Sequence, residues 1–202
     1  KFTDKEYGRV VVTELMDGDL EPAEEKLPRN QKEFCKMILD VMAGIAAMHA
    51  QNFVHADIKP ANLLYKDGEY KVGDLGNSCG DSKCAPSGTA DFMAPEMASW
   101  FVNFRKRMNS TELLSSDIWS LGVTFISIMT GGELPYTSKI TGDGFRDDMT
   151  SDEWIRTLAA GVTVKTDPES YRPRPGDRSE RFYRPRPELT DRLVRVILEK
   201  MV

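Results

Sequence analysis

The chain is poor in the residues that would give it a covalent or metal framework. Three cysteines (Cys35, Cys79, Cys84) and two histidines (His49, His55) among 202 residues make neither a disulfide scaffold nor a paired metal-ligand spacing. A reducing compartment, and hence a cytoplasmic setting, is the expectation. Cys79 and Cys84 could bridge, but two unlinked thiols are the favoured reading, since Lys83 is the only neighbour that would activate either. Basic charge is also short: 27 Lys and Arg against 32 Asp and Glu leave a net charge of -5, with pI near 5.2. That balance argues against a surface given over to nucleic acid or anionic membrane. The longest apolar run, Trp119 to Met129, falls short of the roughly 18–20 residues of a membrane-spanning helix, so it is expected as a core helix. The chain does not start with methionine and shows no charged-then-apolar leader, which reads as an excised piece without a targeting segment. Neither a Gly-x-Gly-x-x-Gly nor a Walker-type phosphate loop occurs.

What is present suits one substantial core, at 40% hydrophobic residues. "RVVVTEL", Arg9 to Leu15, is β-branched and predicts a strand running into the turn cluster "MDGDL". Phe34, Ile38, Val41, Ile45 and Met48 recur at helical spacing behind a capping box of Asn30 and Glu33. "LLY" and "EYKVG" flank "KDG", a hairpin signal. Residues 77–96 lack periodicity and predict a long surface loop. Ser115 and Ser116 are expected to cap an all-round apolar helix that stops at Gly131 and Gly132. "SDEWIRTLAAG" predicts a short helix ending at Gly161, and a last helix carries Leu189, Leu193, Val196 and Ile197 on one face. Between them, 171–187 repeats Tyr-Arg-Pro-Arg-Pro twice; it reads first as linker, second as a dock for an acidic partner, and less readily for RNA.

The chemistry concentrates in "HADIKPANLLYKDGEYKVGDLG", residues 55–76. Phosphoryl transfer needs oxygen ligands for Mg²⁺, which Asn62 and Asp74 provide. It also needs a carboxylate to take the attacking hydroxyl's proton, for which Asp57 is the candidate, and a fixed cation, for which Lys59 is. Asp57 and Lys59, two apart in an extended loop, would share one side. His55 is expected to be architectural, and Asp117 to bind the backbone of the catalytic loop.

These residues carry a resemblance. "HADIKPAN" resembles the catalytic loop of eukaryotic protein kinases, "DLG" their metal-binding Asp-Phe-Gly turn, "GTADFMAPE" their substrate loop and "SDIWSLGV" their central helix, in family order. The resemblance implies an α+β, protein kinase-like fold, mainly α-helical with small β-hairpins and truncated at both ends. Residues 1–15 would be the last small-lobe strand and the start of the hinge, and 16–202 a large lobe incomplete at its last helix. It implies Asp57 as base, Lys59 on the γ-phosphate, Asn62 and Asp74 on Mg²⁺, and Thr89 hydrogen-bonded near Asp57. Thr13 would be the gatekeeper and Glu14 to Met16 the hinge. Leu64 would be the floor under adenine, with Asp19 also on the nucleotide. Lys59 with Gly88 and Thr89 resembles the serine/threonine branch, so ATP, magnesium and a protein with a Ser/Thr acceptor are implied. Departures bear on this reading. Leu75 replaces the usual Phe, a swap expected to preserve packing. Ala56 replaces the usual Arg, leaving a phosphate on Ser78, Ser82 or Ser87 without a bidentate partner, so activity is expected not to depend on loop phosphorylation. The glycine loop and the lysine-bearing strand are missing from these residues, and the arginine that would pair with Glu96 lies past the last one. A pseudokinase that binds without chemistry is the alternative, and a small-molecule kinase ranks last.

Overall fold

The computed structural model describes residues 2–4, 8–21, 27–80, 84–103, 107–130, 132, 134–137, 149–165, 192, 195–197 and 199–201. Three short strands come first: β1 (Phe2–Asp4), β2 (Gly8–Val10) and β3 (Gly18–Asp19). β1 and β2 pair antiparallel, with Phe2 opposite Val10. The β-branched run predicts a strand to Leu15, yet the ladder ends at Val10, and Val11 and Val12 are exposed. Strand propensity had no partner to act on there among the described residues, and a β-branched run without a neighbouring strand is only an extended segment.

Helix α1 (Gln31–His49) begins as its cap predicts, with the Asn30 side chain accepting from the Glu33 N–H at 3.0 Å. Glu33 closes the box on the Arg29 N–H rather than on that of Asn30. The helix buries Phe34, Met37, Val41 and Ile45, while the expected Ile38 and Met48 pack at the edge of the same cluster. Each such side chain contributes about 1.5–3 kcal/mol on burial.

After α1 come β4 (Phe53–Val54), the hairpin of β5 (Leu63–Lys66) and β6 (Glu69–Val72), and β7 (Cys79–Gly80). The hairpin turn places Asp67 and Gly68 both at positive φ, which is what an Asp-Gly pair tolerates. β3 joins β5, and β7 pairs with β4. Helix α2 is Pro95–Val102 and helix α3 is Ser110–Thr130. The start of α3 differs from expectation. Asn109 is the cap: its side chain accepts from the Glu112 N–H at 3.0 Å, and Glu112 accepts from the Asn109 N–H at 2.8 Å. Ser115 and Ser116 therefore lie inside the helix, where Ser116 donates to the Leu113 carbonyl. The earlier, reciprocal box wins because it satisfies two terminal groups at once.

By length and composition α3 could cross a bilayer, but 72% of its most apolar window is buried in the protein, as a core helix requires. Gly132, at φ +116°, follows its last turn and donates to the Ser127 carbonyl. The remaining elements are β8 (Tyr136–Thr137), α4 (Ser151–Ala160) and β9 (Thr163–Val164). α4 opens on a reciprocal Thr150–Glu153 box, whose bonds hold the Glu153 carboxyl below its ordinary range. It ends, as predicted, at Gly161, which has positive φ.

Residues 192, 195–197 and 199–200 are helical; Ile197 enters the core, whereas Val196, expected on the same face, is exposed. Leu189, Leu193, the arginine-proline segment 171–187 and Gly131 lie outside the described residues. Two apolar clusters result. One joins α1, α3, the β5–β6 hairpin and Ile197; the other joins Val54, α2, α4 and the start of α3. The loop from His55 to Asn62 runs between them.

Candidate active site

The loop is fixed from behind by Asp117, 1% exposed in α3. Its two oxygens accept the His55 N–H at 2.8 Å and the Ala56 N–H at 2.9 Å, and His49 Nε2 donates at 2.9 Å. A buried carboxylate needs such donors, and the expected backbone role of Asp117 is what the structure shows. Held this way, Ala56 adopts φ +64°, an uncommon conformation for a residue with a Cβ. His55, fully buried, donates from Nε2 to the Gly73 carbonyl at 2.8 Å and accepts the Asp57 N–H on Nδ1 at 3.3 Å. One neutral tautomer satisfies both bonds, so His55 is architectural, as expected.

The loop gathers four of the expected residues. Asp57 Oδ1 accepts from the Thr89 hydroxyl at 2.8 Å, and that hydroxyl accepts from Lys59 Nζ at 2.9 Å. Lys59 Nζ also lies 3.4 Å from Asp57 Oδ2. Asn62 spends its amide nitrogen on the Asp57 carbonyl at 2.7 Å and approaches Asp57 Oδ2 at 3.4 Å, which leaves the amide oxygen as its metal-competent end. The Asn62 carbonyl accepts the Gly73 N–H at 2.8 Å, so the residue before Asp74 is tied to the loop. Asp74 itself is exposed at φ 48°, with Oδ1 accepting the Gly76 N–H at 3.2 Å. Its link to the cluster runs through backbone rather than through a side-chain bond.

The expected nucleotide residues are arranged along the hairpin. Asp19 is the register partner of Leu64, and its Oδ1 accepts the Glu21 N–H. Leu64 packs so closely on Gly73 that a Cβ there would lie 2.5 Å from Leu64 Cδ1. Glu14 pairs with Lys71 and Lys66, and the Lys71 bond holds its carboxyl below the ordinary range while raising the Lys71 ammonium. Lys66 also donates to the Leu15 carbonyl, which fastens the expected hinge residues to the hairpin. Thr13 is exposed and Met16 partly so; neither is brought into the Asp57 cluster. Leu75 is 58% exposed, which corrects the expectation that it preserves a packed contact: nothing described covers it.

Other residues hold the site without having been foreseen. Asn77 Nδ2 approaches Asp57 Oδ2 at 3.4 Å, a contact with no sequence signal beyond closeness to Asp74. The 3₁₀ turn Ala90–Phe92 is pinned by Trp154 on the Ala90 carbonyl, Tyr136 on that of Asp91 and Ser120 on that of Phe92. Trp119 donates to the Tyr136 hydroxyl and stacks on its ring. Glu96, in the first turn of α2, has its carboxyl raised by burial; a backbone bond moderates the shift and the charge of Glu112 adds to it. Cys79 and Cys84 form a disulfide with Cα atoms 5.1 Å apart, against the expectation of free thiols. The pairing of β7 with β4 fixes Cys79 within reach of Cys84, and proximity rather than thiol activation decides the outcome. Cys35 is free and exposed.

The sequence matches the family model described as "Protein kinase domain" over residues 1–197. It is 29% identical over 138 residues to the probable serine/threonine-protein kinase irlC of Dictyostelium discoideum, covering 68% of this chain and 9% of that protein. It is 32% identical to the membrane-associated tyrosine- and threonine-specific cdc2-inhibitory kinase wee-1.3 of Caenorhabditis elegans, over 65% of this chain and 19% of that protein. Mitogen-activated protein kinase kinase 1 of Arabidopsis thaliana is 36% identical, over 63% of this chain and 36% of its own length. The chain thus spans a minor part of each of these three relatives.

Proposed function

The chain belongs to the protein kinase domain family, and we propose that the protein transfers the γ-phosphoryl group of Mg·ATP to a serine or threonine hydroxyl of a protein substrate. One observation carries the reading: the buried Asp57 carboxylate is held by Thr89 on one oxygen and faced by Lys59 and Asn62 on the other. On this reading Asp57 orients the acceptor hydroxyl and takes its proton as the new bond forms. Lys59, fixed through the Thr89 hydroxyl, offsets negative charge on the transferring group. Leu64 and Asp19, neighbours in the ladder, flank the nucleoside, and residues 14–16 present backbone groups to its base.

The donor set fits magnesium. Among the described residues no group of three or more His, Cys, Asp or Glu could hold a metal alone. Asn62 and Asp74 offer one amide oxygen and one carboxylate, the sparse hard-oxygen set that Mg²⁺ shares with phosphates. When bound, the ion neutralises and aligns the phosphate oxygens. In this proposal residues 1–15, which carry the paired strands β1 and β2 rather than the single strand expected, belong to the end of a small lobe and the hinge entry, and 16–202 belong to the large lobe.

The serine/threonine assignment rests on Lys59 with Gly88 and Thr89; one relative is named as tyrosine- and threonine-specific, so phosphoamino-acid analysis belongs in the test. Full-length protein is assayed for γ-phosphate transfer to a peptide library beside Asp57→Asn and Asp74→Asn. A loss of about 10²–10⁴-fold in each variant is expected. Equal, background incorporation in all three proteins would instead mark a binding module without chemistry.

A further inference from the structure

The one covalent cross-link among the described residues lies in the segment that joins Asp74 to Thr89, and the proposed chemistry makes no use of it. Both ends of that segment touch the same carboxylate: Asn77 reaches Asp57 Oδ2 and Thr89 reaches Asp57 Oδ1. Cys79 follows Asn77 by two residues, and Cys84 precedes Thr89 by five. Cys79 is also the register partner of Val54, which runs directly into His55, Ala56 and Asp57. β7 lies close on its neighbour, since a Cβ on Gly80 would come within 3.1 Å of the Asn52 carbonyl oxygen. Closing a ring here removes loop freedom next to the carboxylate. Ala56, buried and uncharged, offers no charge to hold this segment, so among the described residues the disulfide is its covalent strap.

Access favours one of the two cysteines. Cys84 lines an open cavity of about 150 Å³ together with Asn52, Gly80 and Ser110. The cavity is polar enough to admit water and has room for the thiol end of a small molecule.

We infer that Cys79 and Cys84 are a thiol–disulfide exchange site that takes a small-molecule thiol or its disulfide, and that the closed disulfide is the form in which the loop is set for transfer. The second half of this inference rests on the kinase reading. In opening, the thiolate of the small molecule attacks Cys84 Sγ, the Sγ–Sγ bond breaks, and Cys79 leaves as a thiolate that takes up a proton. A second thiol then attacks the mixed disulfide, which frees Cys84 and forms the small molecule's own disulfide. The protein gains two electrons and two protons, the thiols lose them, and closure is the reverse.

The test equilibrates full-length protein in glutathione buffers of graded GSH to GSSG ratio, blocks free thiols, and maps disulfide-linked peptides. Amide exchange at Cys79 and Gly80 and phosphotransfer are read in the same samples, in a Cys35→Ser background that removes the exposed third thiol. At the oxidising end the map should show Cys79 linked to Cys84, the two amides should exchange more slowly, and kcat should stand about tenfold above the reduced enzyme. Cys79→Ser/Cys84→Ser should stay at the reduced rate at every ratio. The inference is overturned by absence of the linkage at the oxidising end, or by amide exchange and kcat that ignore it. Should neither state transfer phosphate, that failure counts against the kinase reading. The peptide map and the amide exchange then decide the exchange site alone.

Discussion

Gly73 is constrained on three sides. Its N–H serves the Asn62 carbonyl, its own carbonyl accepts from His55, and Leu64 fills the space where a side chain would begin. Gly73→Ala must therefore push Leu64 aside, at a cost of about 1–3 kcal/mol. If Leu64 is the floor under adenine, KM for ATP should rise about tenfold while kcat changes less. A folded Gly73→Ala protein with unaltered KM would remove Leu64 from that role. At this scale much was legible. Asp57, Lys59, Asn62 and Thr89 lie in short motifs, and a carboxylate at the start of an apolar helix has to find buried donors, as Asp117 does. Contacts that depend on how the loop folds back were not legible. Asn77 on Asp57 and the Cys79–Cys84 bond are products of loop geometry, for which no periodicity exists to read.

Element boundaries followed local chemistry where a single cap was on offer and went astray where two competed. Leu121, Phe125 and Met129 lie inside α3 under either reading, so their hydrophobic pattern alone could not choose between Asn109 and Ser115 as its cap. The structure makes the choice testable. Asn109→Ala should cost about 1 kcal/mol in urea unfolding, whereas Ser115→Ala, at an exposed interior position, should cost almost nothing. The reverse ranking would restore the serine cap. The β5–β6 hairpin carries a second prediction. Tyr70 packs beside Tyr65, and its N–H is held by Asp40 of α1. Burial first, then the charges of Glu33, Tyr65 and Asp40, push its phenol from 10.0 up to about 12. With the folded value above the unfolded one, the contribution is fully present below 10.0 and is lost as pH climbs toward about 12. Thermal stability should thus fall between about pH 10 and 12 more steeply in the wild type than in Tyr70→Phe. Parallel curves would mean that the phenol does not couple to folding.

On the scale of the whole molecule, two apolar clusters meet along α3, which feeds the first through Leu121, Phe125 and Met129 and the second through Leu113. Asp117 lies between these stretches and takes a donor from α1 through His49 and two from the loop that follows β4. It is thus the polar joint at which both clusters hold the candidate site. The alternation of apolar helices was readable along the chain, but that one carboxylate serves three donors from two other segments was not, because His49 and Asp117 are 68 residues apart. Asp117→Asn tests the joint sharply: an amide has one acceptor oxygen, and its NH₂ would face N–H groups that need an acceptor. At least one buried donor is left unpaired, and the expected loss is about 2–3 kcal/mol of unfolding free energy, measured by urea titration of the full-length protein. His49→Gln, which can still donate, should cost much less, about 1 kcal/mol. Phosphotransfer by Asp117→Asn protein that remains folded in the cold should fall as well, because His55 and Ala56 position Asp57. A variant as stable as the wild type would show that the clusters keep their arrangement without this joint, and that the loop is held in place by packing alone.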